Sequence, residues 1–151
     1  MAKRRDTKER SEHNLEEEAQ KKYLQLQFLK QQLQLYVEEK KLIDQKLEEL
    51  DQSVAALHSL AAAKPGAAMW TPVGSGSFVA ASLMDAKHVL VGIGAGAAVK
   101  TTRGEAVAVL EQRKNELDKT STDVMGQIIQ ISEAAESIEQ DLSSLIEKIQ
   151  Q

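Results

Sequence analysis

The stretch most suggestive of chemistry is residues 92–96, Gly-Ile-Gly-Ala-Gly, which follows an apolar run. Such a pattern can cradle the pyrophosphate of a dinucleotide when it opens a helix inside a βαβ unit. Here residues 97–101 are strand-like, and the helical pattern after them leaves no room for a later strand. Because glycine readily adopts positive φ, a turn explains the segment better than a nucleotide site does. A nucleotide-dependent enzyme is the most distant alternative.

Metal and acid–base chemistry have equally little support. His13, His58 and His88 lie in three separate segments, and none has a second ligand at metal-binding spacing. The sequence has no Cys, which excludes disulfides and thiolate metal sites. We therefore predict no catalytic residue, no metal and no cofactor, and expect that the protein is not an enzyme.

Composition indicates long helices instead. Of 151 residues, 42% are hydrophobic and 28% charged but only 3% aromatic, which is typical of coiled coils. A net charge of -4 gives no general affinity for nucleic acid or for anionic membranes. No secretion signal and no bilayer-length apolar run is visible, so we expect a soluble, cytoplasmic protein.

Two segments carry apolar heptad seams, at residues 26–57 and 107–149, where apolar side chains recur at spacings of three and four. Polar residues interrupt the seams at Lys22, Lys40, Lys114 and Ser121. Thr102 and Glu105 have the spacing of a capping box and predict the start of the second helix. Antiparallel pairing would place Leu15 against Ile149, Leu26 against Ile138, Leu33 against Ile131, Leu47 against Leu117 and Val54 against Leu110. A whole-heptad shift preserves these layers, so the register stays open.

Between the seams the sequence predicts two β-hairpins. The strands are expected at residues 69–73, 77–84, 88–93 and 97–101, with glycine-rich turns at 74–76 and 94–96. Pro72 cannot donate a ladder hydrogen bond, so its strand should lie at an edge. Two hairpins without a covering helix are marginal alone, which implies partner strands from other chains. The predicted organisation is a disordered basic tail (1–11), a helix (12–64), the hairpins (65–101) and a second helix (102–151).

This arrangement resembles the prefoldin alpha subunit family. Residues 71–79, Thr-Pro-Val-Gly-Ser-Gly-Ser-Phe-Val, resemble its first hairpin, and residues 88–99 resemble its second. The resemblance implies a mainly α fold with a small β part, in which two hairpins join a long antiparallel coiled coil and form an intersubunit β-barrel. It also implies a hexamer of two alpha and four beta-type subunits. Without ATP, the coiled-coil tips of such a hexamer would hold unfolded client proteins and pass them to a group II chaperonin.

The resemblance and the apolar pattern together give two sets of candidate residues. The candidate client-binding residues are Leu15, Tyr23, Leu24, Leu142, Leu145, Ile146 and Ile149. The candidate assembly residues are Phe78, Val79, Leu90, Val91, Ile93 and Val99. Further apolar residues lie outside the seams, namely Phe28, Leu35, Val37, Leu42, Met125 and Ile129. The main alternative is a structural coiled-coil adaptor that oligomerises through its hairpins and binds no client.

Overall fold

The computed structural model describes the backbone of residues 2–150 and the side chains of residues 13–150. Helix α1 (Ala2–Ser59) and a short 3-10 turn (Leu60–Ala62) precede four strands, and helix α2 (Arg103–Ile149) follows them. The strands are β1 (Ala68–Gly74), β2 (Ser77–Ser82), β3 (His88–Gly94) and β4 (Ala97–Thr102). This order confirms the expected fold class, in which two long helices flank two antiparallel hairpins.

Most element boundaries lie within one residue of the predicted ones, and three larger differences stand out. Helix α1 begins at Ala2, inside the segment 1–11 for which the sequence predicts disorder. Its Lys, Arg and Glu residues have good helix propensity even though they offer little to bury. Helix α1 ends at Ser59, before the predicted limit at residue 64, and β2 ends at Ser82 rather than at residue 84.

The chain divides into two compact units, each of which contains part of both long helices. The first unit comprises the described residues up to Ile43 and from Thr120 onward, and we call it the helical unit. Its core is a cluster of Leu26, Ala135 and Ile138, with Leu29 and Leu142 packed against it. Leu26 and Ile138 therefore share a layer, as the antiparallel pairing predicts. A shift of one heptad would instead bring Leu26 to Ile131 or Leu145.

Ion pairs between the two helices agree with this register. The Nζ atom of Lys22 lies 2.6 Å from Asp141 Oδ2, and that of Lys30 lies 3.0 Å from Glu139 Oε1. Lys22 interrupts the seam, and its long apolar stem can lie along it while the ammonium reaches a carboxylate at the edge. Exposed pairs of this kind contribute only about 0–1 kcal/mol each. The apolar seam is therefore the main source of stability in the helical unit.

The second unit, Asp44–Lys119, contains the hairpins and the adjoining parts of both helices, and we call it the hairpin unit. Lys114 Nζ donates to Asp51 Oδ1 at 2.5 Å, and this hydrogen bond raises the pKa of the lysine. Helix α2 begins with the predicted capping box. Thr102 Oγ1 accepts the Glu105 backbone N–H at 3.3 Å, and Glu105 Oε2 accepts the Thr102 N–H at 3.0 Å.

The cap also includes two hydroxyl groups. The Glu105 carboxylate accepts hydrogen bonds from the Thr101 hydroxyl at 2.6 Å and the Thr102 hydroxyl at 2.8 Å. These bonds, the one from Thr101 above all, lower the pKa of Glu105 to about 2. A carboxylate in this position also interacts favourably with the positive end of the helix dipole. The predicted start of the second helix is thus confirmed.

The two hairpins share one turn geometry. Each has a two-residue loop with positive φ at both residues, Ser75 and Gly76 in the first hairpin and Ala95 and Gly96 in the second. Positive φ at both loop residues matches the right-handed twist of paired strands and favours glycine. Residues 94–96 therefore form a hairpin turn, as the sequence predicts.

The second hairpin is bonded to the start of α2. Arg113 Nη2 donates to the Gly92 carbonyl oxygen at 2.7 Å. Arg103 Nη1 donates to the Ala86 carbonyl oxygen at 3.0 Å. In the loop before β3, Asp85 accepts the Lys87 N–H at 2.7 Å and contacts the His88 ring, and these bonds lower its pKa to about 2. The hairpin is thus held to its own helix by bonds to backbone groups.

Candidate interaction surfaces

The first hairpin exposes apolar side chains on both faces. Trp70, Pro72 and Phe78 occupy one face, because Pro72 lies opposite Phe78 and Trp70 opposite Ala80 in the ladder. The Trp70 side chain is 71% exposed and that of Phe78 58%. Val79, on the other face, is 47% exposed. Exposed aromatic residues on a two-stranded sheet are typical of a surface that another chain covers.

The remaining four assembly candidates lie on the second hairpin and differ in exposure. Leu90 is 73% exposed, Ile93 59% and Val99 48%. Val91, opposite Val99 in the ladder, is only 9% exposed within its own chain. Five of the six predicted assembly residues are therefore open to a partner, whereas Val91 packs inside the chain.

Two bulge residues add to the exposed apolar surface. The strand register shifts at the same place in both hairpins, between Pro72 and Gly74 and between Gly92 and Gly94. The intervening residues are Val73, 61% exposed, and Ile93. Ile93 is among the predicted assembly residues, whereas Val73 is not. Alignment of the two Gly-x-Gly turns would have revealed Val73 as its counterpart.

The predicted client-binding residues also fall into two groups. Tyr23, Leu24 and Ile146 are exposed, at 50%, 58% and 44%. The other four lie in the seam, where Leu145 is 7% exposed and the remaining three are half-buried: Leu15, Leu142 and Ile149. The structure thus brings three of the seven residues to the surface and leaves four between the helices.

A second row of apolar side chains runs along α1, away from the seam. It consists of Leu24, Phe28, Leu35 and Leu42, which we call the outer stripe. Phe28, Leu35 and Leu42 recur every seven residues and are 58%, 63% and 67% exposed, whereas the seam residue Leu26 is 6% exposed. Phe28, Leu35 and Leu42 are recognisable in the sequence as off-seam residues but are not among the predicted client-binding residues. Their common heptad phase is the signal that could have found them.

The features that suggested chemistry have structural roles. The glycines of residues 92–96 belong to a hairpin, and His88 faces Asp85 at 2.7 Å. In the part of the chain that the structure describes, no cluster of three His, Cys, Asp or Glu side chains could hold a metal ion. Over the same residues, no helix is long and apolar enough to span a membrane.

Residues 29–148 match the prefoldin subunit family. This chain belongs to the prefoldin family. A prefoldin subunit alpha from Methanococcus aeolicus is 28% identical over 90% of this chain and 92% of its own length. Another, from Methanoculleus marisnigri, is 32% identical over 76% of each chain. Both relatives carry the alpha name.

Solved prefoldin structures share the fold. A chain of a filamentous PFD from Methanocaldococcus jannaschii superposes with a TM-score of 0.67 and 22% identity, covering 75% of this chain and 93% of that one. The prefoldin beta subunit from Thermococcus strain KS-1 gives a TM-score of 0.56 and 23% identity, covering 84% of this chain and 90% of its own. Prefoldins are a family of chaperones and not of enzymes.

Proposed function

We propose that this prefoldin chain is an alpha-type subunit of an ATP-independent chaperone that captures unfolded proteins and delivers them to a group II chaperonin. The observation that carries the proposal is apolar exposure in two separate places, on the hairpins and on the helices. Leu90 and Trp70 are more than two-thirds exposed on the hairpins, and Tyr23 and Leu24 are at least half exposed on α1. One exposed surface supports assembly and the other supports client binding.

Assembly is assigned to the hairpins. Each forms a separate two-stranded sheet, and a two-stranded sheet has two unpaired edges. Pairing with strands of beta-type subunits would satisfy those edges and cover Phe78, Val79, Leu90, Ile93 and Val99. In the resulting hexamer of two alpha and four beta-type subunits, the hairpins would close into a shared β-barrel. Val91 would support the second hairpin from inside its own chain.

Client binding is assigned to the ends of the two helices within the helical unit. Tyr23, Leu24 and Ile146 offer exposed apolar surface. In the predicted register, the terminal layer of Leu15 and Ile149 has neighbours on one side only, so local fraying would expose these two residues first. Further fraying from the same ends would expose Leu145 and then Leu142. Each contact is weak, but contacts from several subunits raise the effective affinity by roughly 10² or more. No covalent chemistry or nucleotide is required, and the proposed location is the cytoplasm.

The test uses the chain assembled with a beta-type subunit. A chemically unfolded client is diluted into buffer without nucleotide, and aggregation is followed by light scattering. We expect the complex to suppress aggregation and a Tyr23→Gln, Ile146→Gln variant to suppress it less. A complex that assembles fully but gives no protection would contradict the proposed function.

The adaptor hypothesis has one observation in its favour. Leu142 packs against the core cluster and Leu145 is buried, so part of the predicted client surface stabilises the coiled coil. An adaptor needs only the hairpins and a stable helix pair. The same assay separates the two functions, because an adaptor would assemble normally and leave client aggregation unchanged.

A further inference from the structure

We propose that the outer stripe of α1 binds client segments as amphipathic helices with a seven-residue apolar repeat, in preference to extended segments. The inference rests on the proposed chaperone function and names the class of substrate that this surface takes. Three observations carry it: the spacing of the exposed side chains, the shape of the surface between them, and its area.

The spacing matches a helix and not a strand. Phe28, Leu35 and Leu42 lie seven residues apart on one helix, so their Cα atoms repeat about every 10.5 Å along its axis. A partner helix with a heptad repeat presents apolar side chains at the same interval. An extended segment presents side chains on one face about every 6.6 Å, so its side chains do not coincide with stripe residues that lie about 10.5 Å apart. Only a helical partner can therefore contact all three residues in register.

The surface shape favours the same partner. A shallow depression of about 550 Å³ lies on α1 and is lined by six residues: Leu24, Gln27, Phe28, Lys30, Gln31 and Gln34. Four of them, at positions 24, 27, 28 and 31, stand in the i, i+3, i+4, i+7 relation that forms a hole in knobs-into-holes packing. Positions 27, 30, 31 and 34 form a second set with the same spacing, three residues further along the helix. The depression is thus suited to receive side chains from a second helix that lies along α1.

The area favours a transient partner over a second copy of this chain. The four exposed side chains of the outer stripe present roughly 400 Å² of apolar surface, whereas a stable interface needs about 800 Å² from each partner. The stripe between Leu24 and Leu42 is about 27 Å long, which accommodates a helix of about 18 residues. A weak, reversible contact of this size is useful only when several act together, as in a multivalent chaperone.

The experiment compares two labelled peptides of about 18 residues and identical composition. In the first, leucines follow spacings of three and four on a Glu, Lys and Gln background; in the second, they alternate with polar residues. Each peptide carries a photoreactive group, so that cross-linking to this chain is resolved by gel from cross-linking to beta-type subunits. Binding to the complete complex is measured by fluorescence anisotropy, and the cross-link yield reports occupancy of this chain.

The decisive variant is Phe28→Gln with Leu35→Gln, which keeps helix propensity and matches the glutamines already beside the stripe. The matched control is Met125→Gln with Ile129→Gln, which replaces two exposed apolar residues on α2. We expect the heptad peptide to cross-link to this chain at least tenfold better than the alternating peptide. That advantage should be lost in the first variant and retained in the second.

Three results would overturn the proposal. They are equal labelling by the two peptides, an unchanged preference in the Phe28→Gln, Leu35→Gln complex, and a fall in the mass of that complex by light scattering. The last result would show that the stripe joins copies or subunits. Aggregation assays on the wild-type complex run beside these measurements. If wild-type protection is present but the helical preference is absent, the inference fails and the proposed function stands.

Discussion

Apolar side chains are buried in the seam of the helical unit but largely exposed on the hairpins. In the helical unit, Leu26, Ala135 and Ile138 bury one another, and the core closes within a single chain. On the hairpins, Trp70 and Leu90 are 71% and 73% exposed. Among the four strands, only Val91 is buried.

The difference shows which part of the chain depends on partners. A heptad seam needs one other helix, and α1 and α2 supply each other. A two-stranded sheet is marginally stable alone, and its unpaired edges accept further strands. We therefore expect damage to the hairpins to affect association and damage to the seam to affect the stability of the single chain.

The largest expected effect is loss of assembly on introducing charge into the exposed hairpin surface. Leu90→Asp with Ile93→Asp should abolish the complex with a beta-type subunit, because covering an unpaired carboxylate at an interface costs several kcal/mol. Helix content should stay close to that of the wild type, since both side chains are exposed in the single chain. Light scattering after size exclusion and circular dichroism measure the two quantities.

Val91→Asp provides the contrasting variant on the same strand. Its side chain is buried within the chain, so the carboxylate would destabilise the hairpin unit before any partner binds. We expect a lower thermal midpoint of the isolated chain, which the Leu90→Asp, Ile93→Asp variant should not show. If the Leu90→Asp, Ile93→Asp variant still forms a full complex, the hairpins are not the assembly surface.

The next effect concerns the helix ends. Removal of residues 1–18 together with residues 143–151 should leave assembly intact, because the Leu26 and Ile138 layer and all four strands remain. Protection of an unfolded client should fall several-fold, since one weak contact is lost at every linked alpha-type site. Light scattering with the assembled truncation measures this decline. Undiminished protection would place client binding on surfaces that the truncation retains, such as the outer stripe around Phe28.

The sequence predicts the two long helices well because their information is periodic and local. Leu26 and Ile138 share a layer as expected, and Thr102 and Glu105 form the expected cap. Periodicity alone does not distinguish heptad registers that differ by seven residues. The packing of Leu26 against Ile138 shows which register the structure adopts. The burial of Val91 could not be read from the strand pattern, because Val99 lies opposite it on the same face and is nevertheless 48% exposed.

A smaller effect separates seam residues from surface residues on one helix. Ile138→Ala removes a buried side chain, 9% exposed, and should lower the free energy of unfolding by about 2–4 kcal/mol. Ile146→Ala removes the same atoms from a position that is 44% exposed and should cost well under half as much. Urea denaturation of the assembled chain measures both. Equal costs would mean that Ile146 is buried against another subunit.

The smallest effect tests the cap of α2 through pH. The pKa of Glu105 is lowered to about 2 from an ordinary value of 4.5, chiefly by the Thr101 hydroxyl. A carboxylate with a depressed folded-state pKa stabilises the fold above its ordinary pKa, and that contribution is lost as the pH falls towards 2. Between pH 5 and pH 2 we therefore expect the amides at the start of α2 to lose protection from hydrogen exchange.

Glu105→Gln isolates the cap, because glutamine can accept the same hydrogen bonds but does not titrate in this range. The pKa of Asp85 is also lowered to about 2, by the Lys87 N–H and the His88 ring, so its carboxylate contributes in the same pH window. The comparison is therefore made in an Asp85→Asn background. There, Glu105→Gln should flatten the pH dependence at the start of α2 and leave amides around Ile138 unchanged. If the pH dependence persists, another group controls this helix end, and the capping box is not its source.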